Sequence, residues 1–191
     1  MILQFHVNED TAIVTGASQG IGEAIAKRFA DDDVNIAICS RSRGRFQPVV
    51  DDLKDDGGTV DAAECDVTDR ERVFEFGDFD VLVNNAENFQ SPFEDLSEKA
   101  WKTIVDIDLH GTVHFTQAAG EVMCEGDGGY VVNIVSDTRL EGDMPDMSQY
   151  GAAKAALKNL SETLAGEWNE YGIQTNCIAP VWSRHRVWST R

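Results

Sequence analysis

The chain has 191 residues, with 34 Asp and Glu against 16 Lys and Arg, so its formal net charge at pH 7 is −18. Hydrophobic residues make up 42% of it, which is enough for a packed core and argues against a disordered chain. Nucleic acid and anionic membranes are not expected as partners, because both are polyanions that this charge repels.

Short runs of β-branched residues alternate with helical patterns along the whole chain. Continuous apolar strands that alternate with helices specify a parallel sheet covered on both faces. The sequence therefore predicts one α/β unit over residues 1–181, a Rossmann-type doubly wound parallel sheet flanked by helices. Strands are predicted at 11–15, 34–39, 59–65, 80–84, 130–135 and 173–178, and the longer helices at 21–30, 48–55, 92–125 and 150–171.

A glycine-rich turn follows the first predicted strand. Gly16, Gly20 and Gly22 allow the backbone to turn tightly and to approach a pyrophosphate. The helix that starts near Ile21 presents free N–H groups and the positive end of its dipole. The spacing G-x-x-x-G-x-G is a variant of the dinucleotide-binding fingerprint, while a glycine-rich turn without a ligand is the alternative.

Residues 16–20 also match G-x-S-x-G, the nucleophile elbow of α/β hydrolases. In that fold the elbow follows several strands, whereas here it follows the first. A catalytic histidine should come later in a loop after a strand, and the downstream histidines at 110, 114 and 185 do not fit that position. Hydrolysis is therefore disfavoured.

Tyr150 and Lys154 stand four residues apart on a predicted helix, which stacks their side chains on one face. A nearby ammonium favours the phenolate and lowers a tyrosine pKa from its ordinary value of about 10. Such a tyrosine can give a proton to a carbonyl oxygen or take one from an alcohol. A solvated start of the helix is the alternative interpretation.

No metal site is predicted. His110 and His114 could share a helical face, but no carboxylate motif accompanies them. The four cysteines have neither CxxC nor zinc-knuckle spacing, so we expect buried free thiols in a reducing cytoplasm. No apolar run has the length of a membrane span, and residues 1–10 lack the pattern of a signal peptide.

Taken together, the motifs resemble the short-chain dehydrogenase/reductase family from about residue 11 to residue 180. This resemblance implies a Rossmann-type domain that moves a hydride between a nicotinamide and a carbonyl or alcohol carbon. The motifs that carry it are residues 15–22, Asp66 with Val67, residues 84–86, residues 132–136, Tyr150 with Lys154, and residues 176–180.

The resemblance also implies roles for individual residues. Tyr150 would be the general acid/base, Lys154 would lower its pKa and bind the nicotinamide ribose, and Ser136 would hold the substrate oxygen. Asp108 stands on the helix that normally presents a catalytic Asn. The implied cofactor-binding residues are Gly16, Ser18, Gln19, Gly20, Ile21, Gly22, Arg41, Asp66, Val67, Asn84, Ala86, Tyr150, Lys154 and Pro180.

The residues after the second strand bear on cofactor choice. An acid there would bind the ribose hydroxyls of NAD, but this chain has Ser-Arg-Ser-Arg at 40–43. Arg41 can pair with a 2′-phosphate, which favours NADP over NAD. Gln19 counts against this choice, because NADP-preferring relatives often carry a base there. NAD remains possible.

Three residues depart from the family pattern: Glu87 and Val181 replace glycines, and Asp108 replaces Asn. Family members also continue into a substrate lid and a last strand, which we expect this chain to lack. Residues 182–191 hold three Arg and no acid, as a docking segment or the product of a truncated gene would. Two hypotheses therefore stay open: an NADP-dependent reductase or alcohol dehydrogenase, and a degenerate member that at most binds nucleotide.

Two further expectations concern the protein as a whole. The acids are spread along the chain, a pattern typical of proteins kept soluble in high salt, with an ordinary acidic cytosolic enzyme as the alternative. Family relatives usually pair through the helices that here bear Asp108 and Tyr150, so the resemblance implies a homo-oligomer, a dimer or a tetramer.

Overall fold

A computed structural model describes residues 11–76, 78–88, 92–136 and 146–180, and these contain one parallel sheet. Its strand order is β3-β2-β1-β4-β5-β6, so the direction of winding reverses between β1 and β4. The predicted doubly wound sheet is confirmed, and each predicted strand end agrees within one residue. The strands are β1 Thr11–Thr15, β2 Asn35–Ser40, β3 Val60–Glu64, β4 Val81–Asn84, β5 Gly129–Ile134 and β6 Ile173–Ile178.

The helices lie between these strands. A π-helical segment, Val105–Gly111, separates two of them, and short 3-10 helices occur at Phe93–Asp95 and Asn169–Tyr171. No helix in the described part of the chain is long and apolar enough to cross a membrane. The α-helices are α1 Gly20–Asp31, α2 Arg43–Asp55, α3 Arg70–Val73, α4 Glu98–Ile104, α5 Thr112–Glu125 and α6 Ser148–Glu167.

Three helices differ from the sequence prediction: the one predicted at 150–171 spans Ser148–Glu167, with a 3-10 helix at Asn169–Tyr171 after it. Helix α2 begins at Arg43 rather than at Pro48, because Phe46 belongs to the same buried stripe as Val49 and Leu53. The predicted helix over 92–125 is divided into a 3-10 turn, α4, the π-helical segment and α5. Such π-helical segments are frequent at functional sites.

Apolar side chains cover both faces of the sheet. Val14 of β1 packs into a cluster with the buried face of α2, whereas Ile13 packs on the opposite face with Phe115 and Met123 of α5. This alternation follows from the two-residue repeat of a strand. Both faces of the sheet are therefore occupied by packing, and the residues at the carboxyl ends of the strands are the ones available to form a site.

A buried chain of polar side chains ties the second half of the sheet to its helices. The Asn84 amide donates to Asn133 Oδ1 at 2.8 Å and to Thr116 Oγ1 at 3.1 Å. Asn133 donates in turn to Ser161 Oγ at 2.7 Å. These bonds fix β4, β5, α5 and α6 relative to one another, since buried amides without partners would be costly.

Candidate active site

A cavity of about 750 Å³ lies at the carboxyl edge of the sheet, lined by residues that follow β1 to β5. In open α/β sheets, ligands bind at this edge, where the winding reverses. The predicted site residues that line it are Gly16, Ser18, Gln19, Gly20, Ile21, Arg41, Asp66, Val67, Ala86, Ser136, Tyr150 and Pro180. The other predicted site residues are buried and do not line it: Gly22, Asn84, Asp108 and Lys154.

The turn after β1 is held against the end of β4. Thr15 Oγ1 accepts from the backbone N–H groups of Asn85 and Ala86 at 2.9 and 3.0 Å. The Asn85 amide donates to the carbonyls of Thr15 and Gly16 at 3.1 and 3.2 Å. Asn85, which sequence reasoning did not single out, thus lines the cavity, while the amide of Asn84 points into the interior.

Glycines serve two different purposes in this turn. Gly16 has φ +67°, and a Cβ there would lie 2.8 Å from the Cα of Ala86, so packing excludes any side chain. Gly20 has φ +64°, and a Cβ there would meet nothing within 4 Å. The side chain of Gln19, the N-cap residue of α1, makes no capping hydrogen bond. The backbone and the N–H groups of the first helical turn therefore form a cradle suited to an anion.

Tyr150, Lys154 and Ser136 lie close together, as predicted, and Glu87 joins them. The Tyr150 hydroxyl donates to Glu87 Oε2 at 3.0 Å. Lys154 Nζ donates to the carbonyl of Ile134 at 2.7 Å and lies 3.5 Å from the same Glu87 oxygen. A single carboxylate oxygen therefore contacts both the hydroxyl and the ammonium of the predicted catalytic pair.

The environment of Tyr150 raises its pKa. Burial is the largest cause, the charge of Glu87 and its hydrogen bond add to it, and a hydrogen bond with Ser136 acts in the opposite direction. The sequence-based expectation of a lowered Tyr150 pKa is not met in this arrangement, because burial and the Glu87 carboxylate, which accepts a hydrogen bond from the hydroxyl, outweigh the nearby Lys154 ammonium. Tyr150 is thus held in its protonated form.

Asp108 lies in the π-helical segment and is fully buried. Its Oδ1 accepts from the backbone N–H of Asn88 at 2.7 Å, while Oδ2 has no hydrogen-bond partner among the described residues. Burial raises the pKa of Asp108 to about 7, although Lys154 and the Asn88 hydrogen bond oppose the shift. Near pH 7 a large fraction of Asp108 therefore carries a proton that can be donated, whereas an ionised carboxylate only accepts.

Two arginines line the end of the cavity that is formed by the residues after β2 and β3. Arg41 and Arg45 are both exposed there, close to Asp66. Arg43 lies away from the cavity lining, with its Nε donating to Gln47. Sequence reasoning missed Arg45; the signal would have been its position on the first turn of α2, two residues beyond Arg43.

Other predicted features have ordinary structural partners. Asp66 Oδ1 accepts from the N–H and the hydroxyl of Thr68 at 3.0 and 2.9 Å, which closes the turn after β3. His110 pairs with Asp106 at 3.1 Å, and His114 Nδ1 lies 3.0 Å from the carbonyl of Val67. All four thiols are free; those buried are Cys39 and Cys65, and those half-buried are Cys124 and Cys177. Val181 and the predicted tail at 182–191 lie outside the described residues.

The sequence of this chain is similar enough to those of known proteins to show its family. The short chain dehydrogenase family model matches residues 10–186. D-threitol dehydrogenase from Mycolicibacterium smegmatis is 34% identical over 186 residues, which cover 93% of this chain and 71% of that protein. The chain therefore belongs to the short-chain dehydrogenase/reductase family of NAD(P)-dependent oxidoreductases.

Solved structures agree with this assignment. A short chain dehydrogenase from Mycobacterium smegmatis superposes with a TM-score of 0.85 at 31% identity, covering 91% of this chain and 77% of that one. Gluconate 5-dehydrogenase from Burkholderia cenocepacia, solved in complex with NADP and tartrate, superposes with a TM-score of 0.84 at 28% identity, covering 92% and 72%.

The raised pKa of Asp108 predicts a pH-dependent effect of Asp108→Asn on stability. Ionising this buried group costs free energy in the folded state, so the cost is absent below pH 3.8, grows as pH rises, and is complete above about pH 7. The substitution should therefore raise the free energy of unfolding in urea by roughly 2–4 kcal/mol at pH 8 and by clearly less at pH 5. A gain of equal size at both pH values, or a loss at pH 8, would contradict this assignment. Asp95→Asn, at an exposed position, is the control.

Proposed function

We propose that the protein is an NADP(H)-dependent reductase that transfers a hydride between the nicotinamide and a small carbonyl or alcohol substrate. The observation that carries the proposal is the meeting of Ser136, Tyr150 and Lys154 beside a cavity whose other wall is the turn after β1. A proton donor, a second hydroxyl and an ammonium at one point are what reduction of a carbonyl requires.

The residues around the cavity fit a nicotinamide dinucleotide. The first turn of α1 and the open backbone at Gly20 would hold the pyrophosphate. Asp66 and Val67 would flank the adenine, and Tyr150 with Lys154 would bind the nicotinamide ribose. A bound nicotinamide would supply or accept the hydride.

The chain's own contribution is proton transfer and orientation. Tyr150 is held protonated at neutral pH, so it can donate to a carbonyl oxygen as negative charge develops there. Ser136 would hold that oxygen in place. Lys154 would stabilise the phenolate that remains on Tyr150, since an ammonium within contact range favours the charged form.

NADP is proposed over NAD because of the charges at the end of the cavity that follows β2. Arg41 and Arg45 line this end, and the last residue of β2 is Ser40 rather than an acid. Guanidinium groups pair with phosphate, whereas an acid would repel it. The related gluconate 5-dehydrogenase was solved with NADP.

The competing hypothesis is a family member that binds nucleotide without turnover. Its support is the contact between Glu87 and the catalytic pair. The juxtaposition of Ser136, Tyr150 and Lys154 favours an active oxidoreductase instead, and so do the dehydrogenases among its relatives.

Replacing Tyr150 tests the proposed chemistry. With a panel of small aldehydes and ketones, the wild-type chain should oxidise NADPH, followed by absorbance at 340 nm. Tyr150→Phe should lower kcat/KM by about 100-fold or more, because the proton donor is lost, while NADPH still binds. Tyr171→Phe, at an exposed position in a 3-10 helix, should behave as wild type. Unchanged turnover in Tyr150→Phe, or no oxidation by the wild type with any carbonyl, would refute the proposal.

Removing the two cavity arginines tests the cofactor. The double substitution Arg41→Ala and Arg45→Ala should weaken NADPH binding about tenfold or more and leave NADH binding within about twofold. The reason is that only NADPH carries the 2′-phosphate that the two guanidinium groups would bind. Arg28→Ala is the control. It removes an α1 guanidinium that pairs with Asp32 and does not line the cavity. If the double substitution left the ratio of the two dissociation constants unchanged, the preference would have another origin.

A further inference from the structure

Glu87 is the first residue after the tight contact between β1 and β4, and its side chain covers the catalytic pair. Its Oε2 lies 3.0 Å from the Tyr150 hydroxyl and 3.5 Å from Lys154 Nζ. Glu87 and Tyr150 line the cavity, whereas Lys154 does not. The side chain of Glu87 is 28% exposed, and that of Lys154 is 3% exposed. Glu87 therefore stands between the cavity and the ammonium.

The contact is favourable for both partners. A carboxylate that accepts from a phenol and faces a buried ammonium makes charge-assisted interactions, which are stronger than neutral ones. Without Glu87, the Lys154 ammonium would keep its 2.7 Å hydrogen bond to the Ile134 carbonyl and lose the carboxylate that lies 3.5 Å away. A hydroxyl that enters from the cavity can bond to Tyr150 and Lys154 only by taking the place of this carboxylate.

The backbone on both sides of Glu87 is held in place, so its release involves the side chain alone. The N–H of Ala86 donates to Thr15 Oγ1 at 3.0 Å, and the N–H of Asn88 donates to Asp108 Oδ1 at 2.7 Å. The partly exposed carboxylate can rotate towards solvent about its own side-chain torsions. The loop itself need not move.

We propose that Glu87 is an internal ligand of the Tyr150–Lys154 pair and that it sets the affinity of the chain for nicotinamide nucleotides. The nucleotide binds only to the fraction of molecules in which the carboxylate has left the pair. The apparent dissociation constant is then the intrinsic one divided by that fraction. The negative charge of Glu87 also repels the pyrophosphate. This inference rests on the proposed function, because it takes the pair as the place where the nucleotide binds.

Titration of the full chain with NADPH, followed by NADPH fluorescence, tests the inference. Glu87→Gln removes the charge but keeps the size, and Glu87→Gly removes the whole side chain. We expect the dissociation constant to fall about tenfold for Glu87→Gln and further for Glu87→Gly. Glu121→Gln makes the same change of charge at an exposed position near the carboxyl end of α5 and should stay within about twofold of wild type. Thermal unfolding of each variant verifies that it is folded.

The outcomes separate this inference from the proposed function. If NADPH binds to the wild type and the two Glu87 variants bind it equally or more weakly, the inference is overturned and the proposed cofactor stands. If the wild type binds NADPH weakly and Glu87→Gln binds it about tenfold more tightly, both are supported. If neither NADPH nor NADH binds to the wild type or to either Glu87 variant, the proposed function fails, and the role of Glu87 in nucleotide binding fails with it.

Discussion

The hydrogen bonds between Thr15 and the end of β4 are the constraint on which the site depends. The Thr15 hydroxyl accepts from the backbone N–H groups of the two residues that follow β4, and the Asn85 amide donates two bonds to the carbonyls of Thr15 and Gly16. The two strands are thereby held at the point where the sheet reverses its winding. This closure leaves no room for a side chain at Gly16, and it places Glu87 next to α6. The cradle and the position of Glu87 beside Tyr150 both follow from this one contact.

The second feature that organises the site is the surplus of acidic groups around one ammonium. Lys154 is buried, and it is accompanied by Glu87 and by the buried carboxyl of Asp108. Burial is tolerated because Asp108 shifts its pKa to about 7 instead of remaining fully charged. Glu87 in turn keeps the proton on Tyr150. Glu87 and Asp108, two of the departures from the family pattern, thus both act on Tyr150 and Lys154.

The parts of the molecule that sequence could predict are those with local or strongly periodic signals. Short runs rich in β-branched residues identified the six strands of the described sheet, and the glycine spacing and the Tyr150–Lys154 spacing pointed to residues that line or adjoin the cavity. The start of α2 depends on the burial of Phe46 after folding, and the place of Arg45 beside the cavity follows from that start. The raised pKa of Tyr150 could not be predicted, because it follows from burial after folding and from Glu87, a residue 63 positions away in sequence. The spacing of residues in the sequence indicates which groups meet. Their protonation depends on burial and on further neighbours such as Glu87.

A crystal structure of the chain with NADPH is the most direct measurement of the central claim, that this cavity takes a nicotinamide nucleotide when Glu87 leaves the catalytic pair. We expect the nucleotide along residues 16–21, its extra phosphate beside Arg41, and the Glu87 carboxylate out of hydrogen-bond range of Tyr150. A nucleotide bound in the cavity while Glu87 Oε2 remains about 3.0 Å from the Tyr150 hydroxyl would contradict the role of Glu87. A nucleotide bound elsewhere would contradict the assignment of the cavity itself.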